Sequence, residues 1–243
     1  MTQGISGDMF SAACYAFMGE ELKEIFLTRI GMSCEELGGK IKLRELSCDT
    51  EKGYAIEYGF PGKTGRVSAR RAGEDLCDIA HTLCLSASGE RLMKAIFLDI
   101  VRAESKAHGV SMDSVHLHEI GRPAGLFNMA TAGLCHDLLA LGDREIIGSC
   151  ISVGKGRVLT NHGWLRVPAP ASATLLAMLK SRLGPYYGEM ATPTGIAIAR
   201  NLINKQVDRL PIPGRQGLGF GSKSFEGAMG HIRLFEKDES IKE

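Results

Sequence analysis

The chain is short of several features that would assign it quickly. Its seven cysteines (Cys14, Cys34, Cys48, Cys77, Cys84, Cys135, Cys150) are odd in number, lie far apart and form no C-x-x-C pair. That excludes a disulfide framework and a zinc ribbon, and leaves reduced core thiols as the expectation for most of them. Charge of one sign is lacking too: 29 Lys and Arg against 28 Asp and Glu leave a net charge of +1. Neither nucleic acid nor a membrane is expected as a partner, since both usually require a marked basic excess. The apolar stretch from Met9 to Met18 is interrupted by Ser11, has no basic leader and is too short to span a bilayer, so the expected location is cytoplasmic. No G-x-S-x-G elbow, H-E-x-x-H pair or P-loop occurs, and a cysteine hydrolase built on Cys150 and His162 has no motif behind it.

What is present in excess is glycine, 30 in 243 residues, nearly twice the usual share, clustered near predicted turns and helix starts. Hydrophobic periodicity predicts two helical stretches over 8–30 broken near Gly19, then strands over 41–46 and 54–60 joined by a turn at 49–53. The segment 62–73, GKTGRVSARRAG, is basic, shows no apolar period and reads as a mobile loop. Helices are predicted over 75–85 and 89–108, the second closed by Gly109 in the left-handed region, and another over 126–141. Strands at 145–153 and 164–167 precede helices opened by Pro170 and Pro193, and further strands lie around Leu218 and over 231–235. Helices and short strands mixed without a βαβ rhythm indicate an α+β fold rather than a doubly wound sheet. A division into two subdomains, if there is one, is expected near 110–120.

Three segments could carry chemistry. In Ser114-Val115-His116-Leu117-His118-Glu119 an extended backbone puts His116 and His118 on one side, with Glu119 beside them, so two imidazoles and a carboxylate could converge on one ion. Nitrogen donors suit Ni, Zn, Cu or Fe without selecting among them. One structural and one solvated histidine is the alternative. His162 is a candidate third ligand or an unremarkable loop histidine.

Gly4-Ile5-Ser6-Gly7-Asp8-Met9 stands before a helix, where free N–H groups could bind a phosphate; Asp8 would cap the helix or hold a divalent cation against that phosphate. Glu189-Met190-Ala191-Thr192-Pro193-Thr194-Gly195 is either a second anion site or simply a well-capped helix start. Gly217-Leu218-Gly219-Phe220-Gly221 is not followed by a helical pattern, so a dinucleotide site is not expected; it reads as a glycine-rich strand or turn.

GISGDM, VHLHEIG, NHG followed by RVPAPA, EMATPTG, and late GLGFG with HIR together resemble, in order, the LarC family of nickel insertion proteins, from Gly4 to about Leu234. The resemblance implies CTP-dependent insertion of nickel into a pyridinium bisthiocarboxylate mononucleotide, with nickel and CTP plus a divalent cation as cofactors and a small-molecule nucleotide as substrate. It implies His116, His118 and Glu119 as metal ligands, beside which His162 is the candidate third imidazole, and Asp8 and Glu119 as bases for the ring proton. Gly4, Ser6, Gly7, Glu189, Thr192, Thr194 and Gly195 would then line the phosphate or nucleotide side, and the three segments would form one cleft.

Departures from the family pattern are equally specific. The strand and aspartate expected before GISGDM are absent, and the histidine-rich loop is replaced by the basic stretch at 66–71. Two aspartates expected after the histidines correspond to Ala124 and Asn128, and a cysteine corresponds to Thr160. The whole chain, 1–243, reads as the family's amino-terminal region without its CTP-associated carboxy-terminal domain. This implies a partner that carries that domain, or a non-catalytic nucleotide- or metal-binding paralogue that acts with a complete homologue.

Overall fold

The computed structural model describes residues 4–48, 51–61, 66–118, 120–160, 162–226 and 228–238. Helix α1 (Gly7–Phe17) ends just before Gly19, and α2 (Glu20–Glu36) follows, as the break in periodicity predicts. Strands β1 (Lys40–Cys48) and β2 (Glu51–Gly59) form an antiparallel hairpin with Lys40 opposite Gly59 and Cys48 opposite Glu51. Residues 51–53, expected in the turn, are thus part of the ladder.

The basic segment is a correction. Gly62 to Gly65 lie outside the described residues, but Val67–Ser68 is a short strand, β3, and α3 (Ala69–Thr82) begins immediately after it. The Ser68 side chain accepts from Arg71 N, and Ala69, Ala72, Leu76, Ile79 and Ala80 make a buried stripe at helical spacing. Arg70 meets Glu74 at 3.2 Å and Arg71 meets Asp75 at 2.6 Å, so acids one turn on answer the arginines' mutual repulsion.

Helix α4 (Ala87–His108) is capped by Ser86 and closed by Gly109 at φ 65°. Then come β4 (His116–Leu117), α5 (Pro123–Leu138), a 3₁₀ turn at Leu141–Asp143, β5 (Ile147–Gly148) and β6 (Ile151–Ser152). The single strand expected over 145–153 is therefore two short ones. Strands β7 (Arg157–Thr160) and β8 (Gly163–Arg166) form a tight hairpin. A cis Val167–Pro168 bond leads into α6 (Pro170–Leu176), then β9 (Ser181–Arg182), α7 (Pro193–Leu202), β10 (Lys205–Gln206), β11 (Pro213–Phe225) and β12 (Ala228–Lys237).

The main sheet has the order β1-β2-β11-β12, antiparallel except for the parallel β2–β11 pair; the other strands form two-stranded pairs. This is α+β, as expected. Helix α1 is its hub, with Met9, Phe10, Ala12, Ala13, Cys14 and Phe17 all buried, and it packs on β2, β11 and β12 as well as on α5 and α7. A helix apolar on nearly every side has to be enclosed on every side. The glycine run of β11 serves this contact: a Cβ on Gly219 would lie 2.1 Å from the Met9 carbonyl oxygen, and one on Gly217 would lie 2.4 Å from that of Ala13. Glycine is required there by backbone approach, with a helix rather than a ligand as the neighbour.

All seven cysteines are free; Cys14, Cys34 and Cys135 are buried, while Cys77 and Cys84 are exposed. Burial pushes the Cys14 thiol well up, and neighbouring Cys135 adds to the effect. Among the described residues no helix is long and apolar enough to cross a membrane.

Candidate functional site

Two of the three expected segments meet. Ile5 forms a parallel bridge with Ala191, donating from its N–H to the Met190 carbonyl at 3.0 Å and accepting from the Thr192 N–H at 2.9 Å. This bridge sets the starts of α1 and α7 side by side. Gly4 sits at φ 96°, and a Cβ there would fall 1.8 Å from the Met190 carbonyl oxygen; one on Gly195 would fall 2.4 Å from that of Ile5. Both glycines therefore hold the two helix starts together. Thr192 caps α7, its Oγ1 accepting from Gly195 N at 3.3 Å, with Pro193 in the first turn.

Ser6 occupies the cap position of α1, but its hydroxyl donates to the Asp8 carboxylate instead of accepting from the helix. The other Asp8 oxygen accepts from Ser222 N at 3.0 Å. Glu189 Oε2 faces Lys223 Nζ at 3.4 Å. Ser6, Asp8, Glu189, Thr192, Ser222 and Lys223 line a cleft of about 60 Å³. Ser222 and Lys223 were not singled out from the sequence; the only signal is that they follow the glycine run that packs on α1. Gly4, Gly7, Thr194 and Gly195 are not among its lining residues, and Gly4 faces another cavity beside Ile5 and Phe10. Gly7 packs on Asn128, whose Cβ would be 2.8 Å from a Cβ at position 7. Asn128 thus stands at the start of α1.

The third segment contributes a cluster of imidazoles. His118 follows β4, His162 sits in the β7–β8 turn and His108 is the last residue of α4; one ring nitrogen from each lies within 4.8 Å of the others. His162 Nε2 and His118 Nδ1 are 3.2 Å apart. Two nitrogens at that spacing, each about 2.1 Å from an ion, would subtend about 100° there, between octahedral and tetrahedral values. The turn is held by Thr160, whose Oγ1 accepts from His162 N at 3.1 Å and donates to the Gly163 carbonyl at 3.1 Å.

His118 has its pKa lowered from 6.5, chiefly by desolvation and then by the neighbouring His162, Arg66, His108 and His116, so its ring favours the neutral form a metal needs. The trio contains no carboxylate, and an all-imidazole set suits the later first-row divalent ions better than magnesium or calcium.

His116 is not one of the three. It is exposed and its Nδ1 lies 3.1 Å from the Ser114 carbonyl. Glu119 and Asn161 lie outside the described residues. Sequence reasoning missed His108, for which the only local signal is its place at the helix end before Gly109; its other neighbour is Glu104, 3.5 Å away. The described residues lining the Ser6–Asp8 cleft include none of the three histidines.

Comparison with known proteins shows the family. The nickel insertion protein of Clostridium kluyveri, named for pyridinium-3,5-bisthiocarboxylic acid mononucleotide, is 30% identical over 230 residues, covering 92% of this chain and 57% of its own. Proteins of the same name from Alkaliphilus metalliredigens and Staphylococcus epidermidis are 36% and 29% identical over 152 and 235 residues. These matches cover 61% and 92% of this chain, and 35% and 54% of the relatives. The chain thus spans between a third and somewhat over half of the curated relatives it matches. No solved structure matches it. The family profile described as nickel insertion protein matches residues 1–243, and the chain belongs to that family.

Proposed function

We propose that this chain receives nickel and takes part in inserting it into pyridinium-3,5-bisthiocarboxylic acid mononucleotide, with His108, His118 and His162 as the nickel-holding side chains. The observation that carries this reading is the convergence of three imidazoles from three separate elements. The thiocarboxylate sulfurs of such a substrate are good nickel donors, so a neutral three-nitrogen site can hold the ion and still release it to sulfur. Forming a metal–carbon bond requires that the ring proton be lost to a base, for which Glu119 and Asp8 are proposed.

The Ser6–Asp8 cleft, of about 60 Å³, is proposed for the phosphate end of the second nucleotide, CTP, with a divalent cation. Asp8 and Glu189 would face the cation, while Lys223, Ser6 and Thr192 offer donors to phosphate. A non-catalytic paralogue is the second reading, favoured by Asn128, an amide at the start of α1 where the family resemblance expects a carboxylate.

The deciding experiment is titration of the metal-stripped protein with nickel, and separately with CTP and magnesium, on the parent and on His118→Ala. One nickel per chain, lost in the variant, supports insertion; a parent that binds CTP but no nickel supports the paralogue.

A further inference from the structure

The hairpin that carries His162 has a second face that the nickel site does not use. In the register Arg157 opposite Arg166, Val158 opposite Leu165 and Leu159 opposite Trp164, alternation puts Arg157, Leu159, Trp164 and Arg166 on one side. All four are exposed, Leu159 to 63% and Trp164 to 65%, while Val158 and Leu165 are half-buried. Among the described residues neither guanidinium has an ion pair and the indole has no ring contact or hydrogen-bond partner.

For a free surface this arrangement is unfavourable. Like charges directly opposite each other in an antiparallel pair repel, and a large indole beside a leucine keeps apolar area in water. Both costs are removed by one kind of occupant: a flat aromatic ring on Trp164 and Leu159, joined to an anion between Arg157 and Arg166.

We infer that this face is the platform for the substrate mononucleotide, with Trp164 stacking on its pyridinium ring and Arg157 and Arg166 taking its phosphate. The inference rests on the proposed substrate and adds the residues that recognise it. A pyridinium ring is a cation as well as a π-face, so an indole is the side chain that attracts it most. Paired guanidiniums match a phosphate by bidentate geometry. Trp164 and Leu159 form the ladder pair next to the one that closes the turn bearing His162, so a ring stacked there lies at the histidine end of the hairpin. Trp164 and both arginines are positioning residues for the ring and its phosphate.

The test uses the fact that Trp164 is the only tryptophan in the chain. Metal-stripped protein is titrated with nicotinic acid mononucleotide, a pyridinium mononucleotide, and with uridine monophosphate and inorganic phosphate, following indole fluorescence and calorimetry. Saturable quenching is expected, with the pyridinium nucleotide bound about threefold more tightly than the uridine nucleotide. Trp164→Ala weakens binding by about tenfold or more, whereas Trp164→Phe, which keeps a ring, loses much less. Arg157→Gln combined with Arg166→Gln weakens both nucleotides and flattens the dependence on salt.

Absence of quenching, equal binding of the two nucleotides, or unchanged binding in Trp164→Ala overturns the inference. So does a blue shift that depends on protein concentration alone, which would assign the face to a second copy of the chain. Calorimetric nickel titration of the same sample reads the histidines independently. A parent that takes nickel but not the mononucleotide therefore refutes the platform and leaves the nickel reading intact, and the reverse result does the opposite.

Discussion

Gly219→Ala is the sharpest perturbation the fold offers, because the obstacle is a helix backbone and not a movable side chain. The added Cβ would lie 2.1 Å from the Met9 carbonyl oxygen and 2.3 Å from Ala13 N, whereas ordinary contact begins near 3.4 Å. Helix α1 must therefore back away from β11 by about 1.3 Å, and overpacking of a close-packed core costs about 1–3 kcal/mol. The upper half of that range is expected here, since α1 is enclosed by α5 and α7 as well as by the sheet. At about 2–4 °C per kcal/mol for a chain of this size, the melting midpoint should fall by about 5–10 °C. The same retreat pulls Asp8 from Ser222 N, so binding at the Ser6–Asp8 cleft should weaken in the same variant. Urea unfolding followed by circular dichroism measures the loss. Gly31→Ala is the control: it lies inside α2 with open space around its Cβ and should gain about 0.5–1 kcal/mol. A Gly219→Ala loss below about 0.5 kcal/mol, within the usual effect of a surface change, would refute the packing account of the glycine run.

Nickel titration of single variants should separate the histidines: His108→Ala weakens binding at least as much as 10- to 100-fold, the usual cost of disturbing a ligand's support, while His116→Ala changes it far less. Equal losses in the two would mean that His116 and not His108 belongs to the site. Lys223→Gln should weaken binding of CTP with magnesium while leaving nickel titration alone, because Lys223 lines the acidic cleft. His231 is half-buried with its pKa lowered from 6.5, chiefly by burial, so the fold favours its neutral ring. Its contribution to stability is complete above the unfolded value and is lost as pH falls through the folded one. The melting midpoint should therefore drop as the medium is acidified below about 6.5, and His231→Gln should flatten that dependence.

The elements that were legible in the sequence are those whose signals are local. Helix α4 announces itself by its apolar stripe, by Ser86 at one end and by Gly109 at the other, and each of these acts within a few residues. The start of α3 was illegible for a physical reason: Ala69 and Ala72 bury so little area that they did not register as a stripe, and the arginines between them suggested solvent. Their acidic partners, Glu74 and Asp75, lie just beyond the segment that looked disordered. For the histidines the limit is different. Strand alternation predicts His116 and His118 on one side, but the strand ends at Leu117, and which imidazole joins a cluster depends on what approaches from elsewhere. The helix end bearing His108 and the hairpin turn bearing His162 come from 10 and 44 residues away from His118, and no local pattern encodes either approach.

That separation also accounts for the division of chemistry under the proposed reading. A reaction using both a soft-tolerant transition metal and a hard cation on a triphosphate must keep each ion from the other's site. An affinity series alone cannot do this, because nickel outcompetes magnesium at almost any shared ligand set. Here the imidazoles contain no carboxylate among their three members, and the cleft of Asp8 and Glu189 contains no imidazole among its lining residues. Three nitrogen donors favour nickel over magnesium at the first. At the second, Asp8 is already engaged by Ser6 and Ser222 and Glu189 faces Lys223, which leaves few oxygens to satisfy an ion unless phosphate supplies the rest. Cation binding in the cleft should therefore require the nucleotide, and nickel binding at the histidines should not.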